Sequence, residues 1–236
     1  MSATARDAAT PDADARRALA WTHGARFLTT ASRLDELPAG ELPEIAFVGR
    51  SNAGKSSAIN ALAQQRQLAF ASRTPGRTQH INLFALGPRD APDALLADLP
   101  GYGYAAVERG AKLRWQAVMA DYLLQRRSLA GVVQLVDARL GFTDLDERLL
   151  ALIAPRVRGG EVALLVLLTK ADKLGRRQAR QALEAAQAVL APLAGESGQA
   201  GEAADIGLSL FSAPTRQGLA DVALHLHGWV HGVDRT

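Results

Sequence analysis

Nine residues, GRSNAGKSS at 49–57, combine two glycines, a lysine and three serines at a spacing that suits phosphate chemistry. Gly49, Gly54, Lys55 and Ser56 match the pattern G-x-x-x-x-G-K-[ST]. In such a loop backbone N–H groups surround an anion, the lysine neutralises phosphate charge, and the serine hydroxyl ligates Mg²⁺. A glycine-rich turn is the alternative, but the preceding apolar run EIAFV supplies the strand that the motif requires. The segment therefore predicts a nucleotide phosphate site.

A second polar segment, TKAD at 169–172, follows the apolar run ALLVLL and indicates which base is bound. Guanine presents N1–H and an amino group as adjacent donors, which a carboxylate such as that of Asp172 accepts together. Adenine has no amino group at this position. The aliphatic stem of Lys170 can lie along the plane of the base. Taken alone, TKAD is a polar turn after a strand; downstream of a phosphate loop it predicts guanine recognition.

Three further segments carry candidate contacts to metal, phosphate and base. Asp98, in LADLPGYGY, can hold a water of a Mg²⁺ shell, and Gly101 can give its N–H to a γ-phosphate. Thr78, in SRTPGRTQH, offers a hydroxyl to the same metal. After the last apolar run, Ser212 and Ala213 are candidate backbone donors to the guanine O6. Each signal is weak by itself, because such turns are common in loops.

These segments must be positioned by alternating strands and helices. The apolar run EIAFVG predicts a buried strand and AGKSSAINALAQQ the helix after it, with Ile59 and Leu62 facing inward. QHINLFALG and DALLADLPG predict an antiparallel pair of strands. Strands GVVQLVD, VALLVLLTK and IGLSLFSA then alternate with helices around 112–125, 144–153, 176–190 and 216–230. This order predicts an α/β fold with a mostly parallel sheet, helices on both faces, and ligands at the carboxyl ends of the strands.

Composition bounds the class of protein. The chain has 236 residues, 48% of them hydrophobic, which suits one α/β domain with an extension. There is no cysteine, so disulfides and thiolate metal sites are excluded. The N-terminus lacks the apolar core of a signal peptide, and no segment reaches the length of a membrane span. We expect a cytoplasmic protein, and a monomer because no coiled-coil pattern is present.

The chain divides into three predicted regions. Residues 1–20 are rich in Ala, Asp and Arg without apolar periodicity and predict a disordered tail. Residues 21–42 predict an arm that packs on the domain, and residues 43–232 predict the nucleotide-binding domain itself.

With these segments assembled, the chain resembles the EngB family of bacterial ribosome-biogenesis GTPases, also called YihA or YsxC. The similarity runs from about residue 25 to residue 230, and GRSNAGKSS and DLPGYGYA are its most specific blocks. The resemblance implies a Ras-like P-loop GTPase fold with a six-stranded sheet and binding of GTP and GDP with Mg²⁺. It also implies a role in assembly of the large ribosomal subunit, whose loss disturbs cell division and septation.

The resemblance also implies a set of binding residues. The implied metal ligands are Ser56 and Thr78, with Asp98 acting through a water. The implied nucleotide contacts come from five segments: Gly49, Arg50, Ser51, Asn52, Ala53, Gly54, Lys55, Ser56 and Ser57; Gly76, Arg77, Thr78, Gln79 and His80; Asp98, Leu99, Pro100 and Gly101; Thr169, Lys170, Ala171 and Asp172; Phe211, Ser212 and Ala213.

Catalysis departs from the common Ras-like arrangement. Many such enzymes orient the attacking water with a glutamine directly after the D-x-x-G glycine, and here that residue is Tyr102. A phenol does this poorly, so we expect slow hydrolysis unless a partner or K⁺ accelerates it. Related GTPases with asparagine at the place of Asn52 use a bound K⁺; the alternative is that Asn52 only satisfies hydrogen bonds within its loop. The catalytic base is left open.

Partner binding has three candidate interpretations. One is a GTPase coupled to ribosome assembly, a second is a nucleotide-gated RNA- or protein-binding module with incidental hydrolysis, and a third is a P-loop kinase, against which TKAD argues. Basic residues near the nucleotide segments offer a surface for RNA, or simply a solvated face. They are Arg66, Arg73, Arg77, Arg89, Arg109, Lys112, Arg114, Arg126 and Arg127.

Overall fold

The structure, a computed structural model, describes residues 10–69, 80–103, 109–194 and 204–232, with the backbone alone described at 10–12 and 109–116. The strands in these ranges are β1 (Arg26–Ala31), β2 (Glu44–Gly49), β3 (Ile81–Leu86), β4 (Ala94–Asp98), β5 (Leu129–Asp137), β6 (Ala163–Thr169) and β7 (Ile206–Leu210). The helices are α1 (Thr10–His23), α2 (Lys55–Leu62), α3 (Arg109–Gln125), α4 (Asp144–Arg158), α5 (Arg176–Ala194) and α6 (Leu219–His231), with short 3-10 turns at Leu34–Glu36 and Ala171–Lys173.

The strands form one sheet in the order β1-β3-β4-β2-β5-β6-β7. β4, β2, β5, β6 and β7 run parallel, whereas β1, β3 and β4 pair antiparallel with one another in that order. The register aligns Phe47 of β2 with Asp98 of β4, and Asp137 of β5 with Thr169 of β6. The carboxyl ends of β2, β4, β5 and β6 therefore share one edge of the sheet, where an open α/β sheet binds its ligands.

Successive side chains of β2 point to opposite faces of the sheet, and the core accordingly has two layers. Ala46 and Val48 pack with α3, α4 and α5 on one face of the sheet. Ile45 and Phe47 pack with α1, α2 and α6 on the other face. Because helices cover both faces, the central strands are apolar throughout rather than alternating with polar residues. Ile59 and Leu62 of α2 are buried, as the sequence predicts.

The arm adds a strand to the sheet. The resemblance implied six strands, and the seventh is β1, which pairs with β3 from Arg26 to Ala31. Its sequence, RFLTTA, does not show the alternation of apolar and polar residues that predicts a strand. Its two large apolar side chains, Phe27 and Leu28, are adjacent, and both are exposed on this edge strand. The predicted α/β fold, with a mostly parallel sheet and helices on both faces, is confirmed, with one strand more than expected.

The N-terminal prediction needs a correction. Residues 1–20 were expected to be a disordered tail, but helix α1 begins at Thr10, and of these 20 residues only 1–9 lie outside the described ranges. Ala18 and Trp21 are buried in the layer that contains α6, so tertiary packing stabilises a helix that lacks a strong apolar periodicity. Within the described residues, no helix combines the length and the apolarity that a membrane crossing needs.

Candidate nucleotide site

The phosphate loop connects β2 to α2 through a left-handed turn. Asn52 and Gly54 have φ angles of +66° and +98°, and the Ala53 N–H donates to the Arg50 carbonyl at 2.9 Å. Such alternation of handedness is what turns successive N–H groups toward an anion. Gly49 is needed for close approach, since a Cβ there would lie 2.9 Å from the Leu135 carbonyl oxygen of β5.

Lys55, at the start of α2, contacts Asp98, at the end of β4. The Lys55 ammonium forms a buried ion pair with Asp98 at the end of β4, and the two side chains are 9% and 2% exposed. Ser56 follows Lys55 in the first turn of α2. An ammonium, a hydroxyl and a carboxylate are therefore gathered at the positive end of a helix, which is the donor set that a Mg²⁺–phosphate group requires. These residues fit the predicted ion.

β6 is tied to the phosphate loop by two side chains. The Thr169 hydroxyl is within hydrogen-bond distance of the Ala53 carbonyl at 2.6 Å and the Val136 carbonyl at 3.1 Å. Lys170, which has a left-handed φ of +59°, donates from Nζ to the Asn52 carbonyl at 2.7 Å. The aliphatic stem of Lys170 therefore spans from β6 to the phosphate loop, and this fixes the TKAD segment relative to that loop.

Asp137 is a residue of this site that sequence reasoning missed. Its carboxylate accepts from Lys170 Nζ at 2.8 Å and from Arg139 at 2.7 Å. Burial alone would raise the pKa of Asp137, but the hydrogen bonds from Arg139 and Lys170 outweigh it and hold the pKa well below its usual range. The available signal was its position: Asp137 is the last residue of a buried parallel strand, like Asp98.

Asp172 is oriented by the loop after β7. The Ser212 hydroxyl donates to Asp172 Oδ1 at 2.8 Å, and this hydrogen bond is the main reason that the pKa of Asp172 lies below its ordinary value. The carboxylate is thus ionised at neutral pH and keeps lone pairs for two further donors. The predicted role of Ser212 changes, because its N–H already donates to the Gln217 carbonyl at 3.1 Å, which leaves Ala213 as the candidate donor to guanine O6.

The D-x-x-G segment lies directly on the phosphate loop. Leu99 is buried, and the Tyr102 N–H and carbonyl pair with Gly49 and Ser51 of the loop at 3.2 and 2.9 Å. The Tyr102 phenol is 8% exposed and donates to Asp146 Oδ1 at 2.7 Å. Burial and the nearby Asp146 carboxylate raise the pKa of Tyr102 far above its ordinary value. Tyr102 is therefore a packed residue, and its phenol is not available as a base.

Other predicted residues are placed less completely. Gly76, Arg77, Thr78 and Gln79 lie outside the described residues, so metal ligation by Thr78 stays a prediction. His80 is exposed, and its Nδ1 is 2.8 Å from the Ser32 hydroxyl.

Asn52 of the phosphate loop bears on the choice between a K⁺ ligand and a residue that only satisfies hydrogen bonds within its loop. The Asn52 side chain is exposed and has no hydrogen bond to any residue in the described part of the chain, so the local-loop role gains no support.

Among the basic residues, Arg126 binds the buried carboxylate of Glu44 at 2.6 Å and is not free for RNA. Arg66, Arg89 and Arg127 are exposed, Arg73 and Arg77 lie outside the described ranges, and only the backbone is described at Arg109, Lys112 and Arg114.

Comparison with known proteins agrees with this geometry. The family model described as "50S ribosome-binding GTPase" matches residues 44–170. A protein of Acidovorax ebreus strain TPSY, named "probable GTP-binding protein EngB", is 57% identical over 217 residues, which cover 92% of this chain and 93% of that protein.

Two solved structures share the fold. One, of a probable GTP-binding protein EngB, has a TM-score of 0.57 at 15% identity and covers 81% of this chain and 100% of its own. The other, Era in complex with MgGDPNP and nucleotides of 16S ribosomal RNA, has a TM-score of 0.61 at 18% identity and covers 83% of this chain and 59% of the Era chain. At these identities the two structures support the fold alone.

Proposed function

Because the chain belongs to the EngB family, within the 50S ribosome-binding GTPases, we propose that it is a guanine-nucleotide switch in large ribosomal subunit assembly. It binds GTP and GDP in the cytoplasm as a monomer and docks on the large subunit or its precursor, through rRNA and ribosomal proteins. Normal cell division and septation depend on this step. The P-loop kinase interpretation is dropped, since the family is one of GTPases.

The observation that carries the proposal is the connection between Asp172 and the phosphate loop. The Ser212 hydroxyl orients the Asp172 carboxylate, and two residues earlier in the same segment Lys170 bonds to the Asn52 carbonyl. A guanine held by Asp172 is thereby placed at a set distance from the phosphates held around Lys55. One nucleotide in one orientation can then make its contacts through the base and through the phosphates at the same time.

Mg²⁺ would be held by the Ser56 and Thr78 hydroxyls, with Asp98 contributing through a water. When bound, the ion supplies charge neutralisation at the β- and γ-phosphates. Lys55, which is 9% exposed and paired with Asp98 in the structure, would add positive charge at the phosphates.

Hydrolysis is proposed to be slow. The Tyr102 phenol is committed to Asp146 and has a strongly raised pKa, so it neither orients nor deprotonates the attacking water. The exposed Asn52 amide supports K⁺ as an activator, because a cation beside the phosphate loop would stabilise charge that develops during hydrolysis. The alternative is a nucleotide-gated binding module in which hydrolysis is incidental.

Co-sedimentation with large ribosomal subunits tests the switch. We expect retention with a non-hydrolysable GTP analogue and loss with GDP at one stated salt concentration, since ionic contacts to RNA depend strongly on salt. An ATP analogue is the control and should behave like no nucleotide. Equal retention in the GTP-analogue and GDP states would contradict a nucleotide-gated partner.

Turnover separates the two candidate functions. A GTPase coupled to assembly should hydrolyse GTP faster when large subunits are added, and faster in KCl than in NaCl if K⁺ is the activator. A rate that is unchanged by ribosomal particles, together with GTP-dependent retention, would favour the nucleotide-gated binding module instead.

A further inference from the structure

Tyr102 joins the D-x-x-G segment to the phosphate loop through its backbone. Its N–H donates to the Gly49 carbonyl at 3.2 Å, and its carbonyl accepts from the Ser51 N–H at 2.9 Å. These two bonds form an isolated parallel bridge between Arg50 and Tyr102, beyond the last pair of β2 and β4, Phe47 with Asp98. The preceding Gly101 packs so closely that a Cβ there would lie 3.2 Å from the Ser51 nitrogen and hydroxyl oxygen. Gly101 is thus seated directly on the loop that binds phosphate.

The Tyr102 side chain enters a buried polar cluster. Its phenol donates to Asp146 Oδ1 at 2.7 Å, and the Gln134 amide donates to the phenol oxygen at 3.3 Å. Asp146 and Gln134 are 1% and 0% exposed. Because water does not compete for these groups, their hydrogen bonds are stronger and costlier to break than surface ones.

Asp146 is itself fixed at the start of α4. Its other carboxylate oxygen accepts from the Thr143 N–H at 2.8 Å and lies 2.6 Å from the Thr143 hydroxyl, which caps the helix. The Gln134 amide also donates to the Asp146 carbonyl at 3.1 Å. The phenol therefore binds to an acceptor, Asp146, that Gln134 of β5 and the first turn of α4 hold in place. This restricts the position of the Tyr102 side chain.

We propose that Tyr102 and Asp146 are positioning residues that hold Gly101 against the phosphate loop and so favour GTP over GDP. The proposal rests on the proposed guanine-nucleotide function and concerns its specificity. An N–H that contacts a γ-phosphate contributes most when it is already in place, because no ordering entropy is then lost on binding. GDP has no γ-phosphate, so its affinity does not depend on where Gly101 lies.

The test compares Tyr102→Phe with a matched Tyr122→Phe variant. Tyr122 is buried as well, with 0% exposure, and its phenol donates to a buried carboxylate, Glu44 Oε2, at 2.5 Å. Glu44 begins β2, about 16 Å along the strand from Gly49, so the control loses the same kind of bond away from the phosphates. Affinities for GDP and for a non-hydrolysable GTP analogue are measured by titration calorimetry, and folding is checked by thermal unfolding.

We expect Tyr102→Phe to weaken binding of the GTP analogue about tenfold, the value of one hydrogen bond to a charged group, and GDP binding less than about twofold. Tyr122→Phe should lower stability without changing the ratio of the two affinities. Equal weakening of both nucleotides by Tyr102→Phe, an unchanged ratio, or the same change of ratio in Tyr122→Phe would each overturn the positioning role. Failure of the unmodified protein to bind either guanine nucleotide would instead overturn the proposed function.

Gln134→Met provides a second variant in case Tyr102→Phe does not fold. Gln134 Oε1 is buried and has no hydrogen-bond partner among the described residues, so removing the amide relieves one unsatisfied atom while it deletes the donor to the phenol. The ratio of GTP-analogue to GDP affinity should fall in the same direction, by less than in Tyr102→Phe. A ratio equal to that of the unmodified protein, or one that rises, would count against the proposal.

Discussion

We propose that recognition of the base depends on one carboxylate, that of Asp172, whose surroundings are assembled from distant segments. Asp172 accepts from Ser212, 40 residues later in the chain, and forms an ion pair with the adjacent Lys173 at 3.2 Å. The lowered pKa keeps Asp172 ionised, and an ionised carboxylate offers acceptors only, which suits the paired donors of guanine. At the scale of a residue, we therefore expect the charge and the orientation of Asp172 together to give specificity for guanine.

Asp172→Asn tests this directly. The amide group places a donor where guanine also presents donors, so we expect GTP affinity to fall by at least about tenfold and its advantage over ATP to shrink. Competition between the two nucleotides for a fluorescent GTP analogue measures both effects.

Asp90→Asn is the matched control for this change. Asp90 is an exposed aspartate in the turn between β3 and β4 and should leave both affinities unchanged. A GTP-to-ATP preference that survives in Asp172→Asn would show that the base is recognised elsewhere.

At the scale of elements, glycine in β5 determines how closely α6 approaches the sheet. A Cβ on Gly131 would lie 2.3 Å from the Trp229 ring, so the indole packs directly over the strand backbone. The Trp229 indole N–H also donates to Asp205 at 2.9 Å, which fixes the ring in that place. At Gly228, the neighbouring residue in α6, a Cβ would meet no atom of the described residues within 4 Å. The two glycines therefore have opposite structural roles.

Gly131→Ala should lower the free energy of unfolding by about 1–3 kcal/mol, because a methyl group forces Trp229 off the strand. Gly228→Ala should raise it by up to about 1 kcal/mol, because alanine is the better helix former and meets nothing. Urea unfolding of the two variants beside the unmodified protein measures both. Equal or greater stability in Gly131→Ala would mean that Trp229 does not pack as described.

At the scale of the whole molecule, an aromatic and histidine cluster attaches the N-terminal helix to the domain. The Trp21 indole of α1 donates to Asp93, in the turn between β3 and β4, at 2.8 Å, and packs edge-on against His227 and His231 of α6. His231 Nε2 lies 3.0 Å from the same Asp93 carboxylate. Three elements that are distant in sequence are therefore joined at one place.

This attachment should weaken in mild acid. Burial, then His231, then Arg17 lower the pKa of His227, although Asp93 and Asp14 act in the opposite direction. Burial and Arg216 likewise lower the pKa of His23. The unfolded chain then binds protons more readily than the folded one, so stability is complete above the ordinary histidine pKa, about 6.5, and falls as the pH drops below it.

Thermal unfolding between pH 7.5 and pH 5.5 measures this effect. We expect the melting temperature to fall across the interval, and His227→Phe, which keeps an aromatic ring but cannot be protonated, to reduce the fall. His225→Phe is the matched control, since His225 is an exposed histidine of the same helix. A fall that is identical in all three proteins would place the pH dependence elsewhere.

The sequence by itself determined the parts of this protein that are local. The phosphate loop and its flanking strand and helix lie within one short segment, so the spacing of Gly49, Gly54 and Lys55 was enough to predict them. TKAD predicted guanine for the same reason. Apolar strands alternating with helices were enough for the fold class, because a parallel sheet needs helices on both faces.

Only the tertiary structure decided which side chains act together. Asp137 reaches Lys170 across 33 residues, Tyr102 reaches Asp146 across 44, and Arg126 reaches Glu44 across 82. The order of the strands makes the first two contacts, because it brings the carboxyl ends of β2, β4, β5 and β6 to one edge. Arg126 meets Glu44 at the opposite edge, where α3 ends and β2 begins. Hydrophobic periodicity reports which face of a strand is buried but carries no information about its neighbours, so these partners had no signal in the sequence.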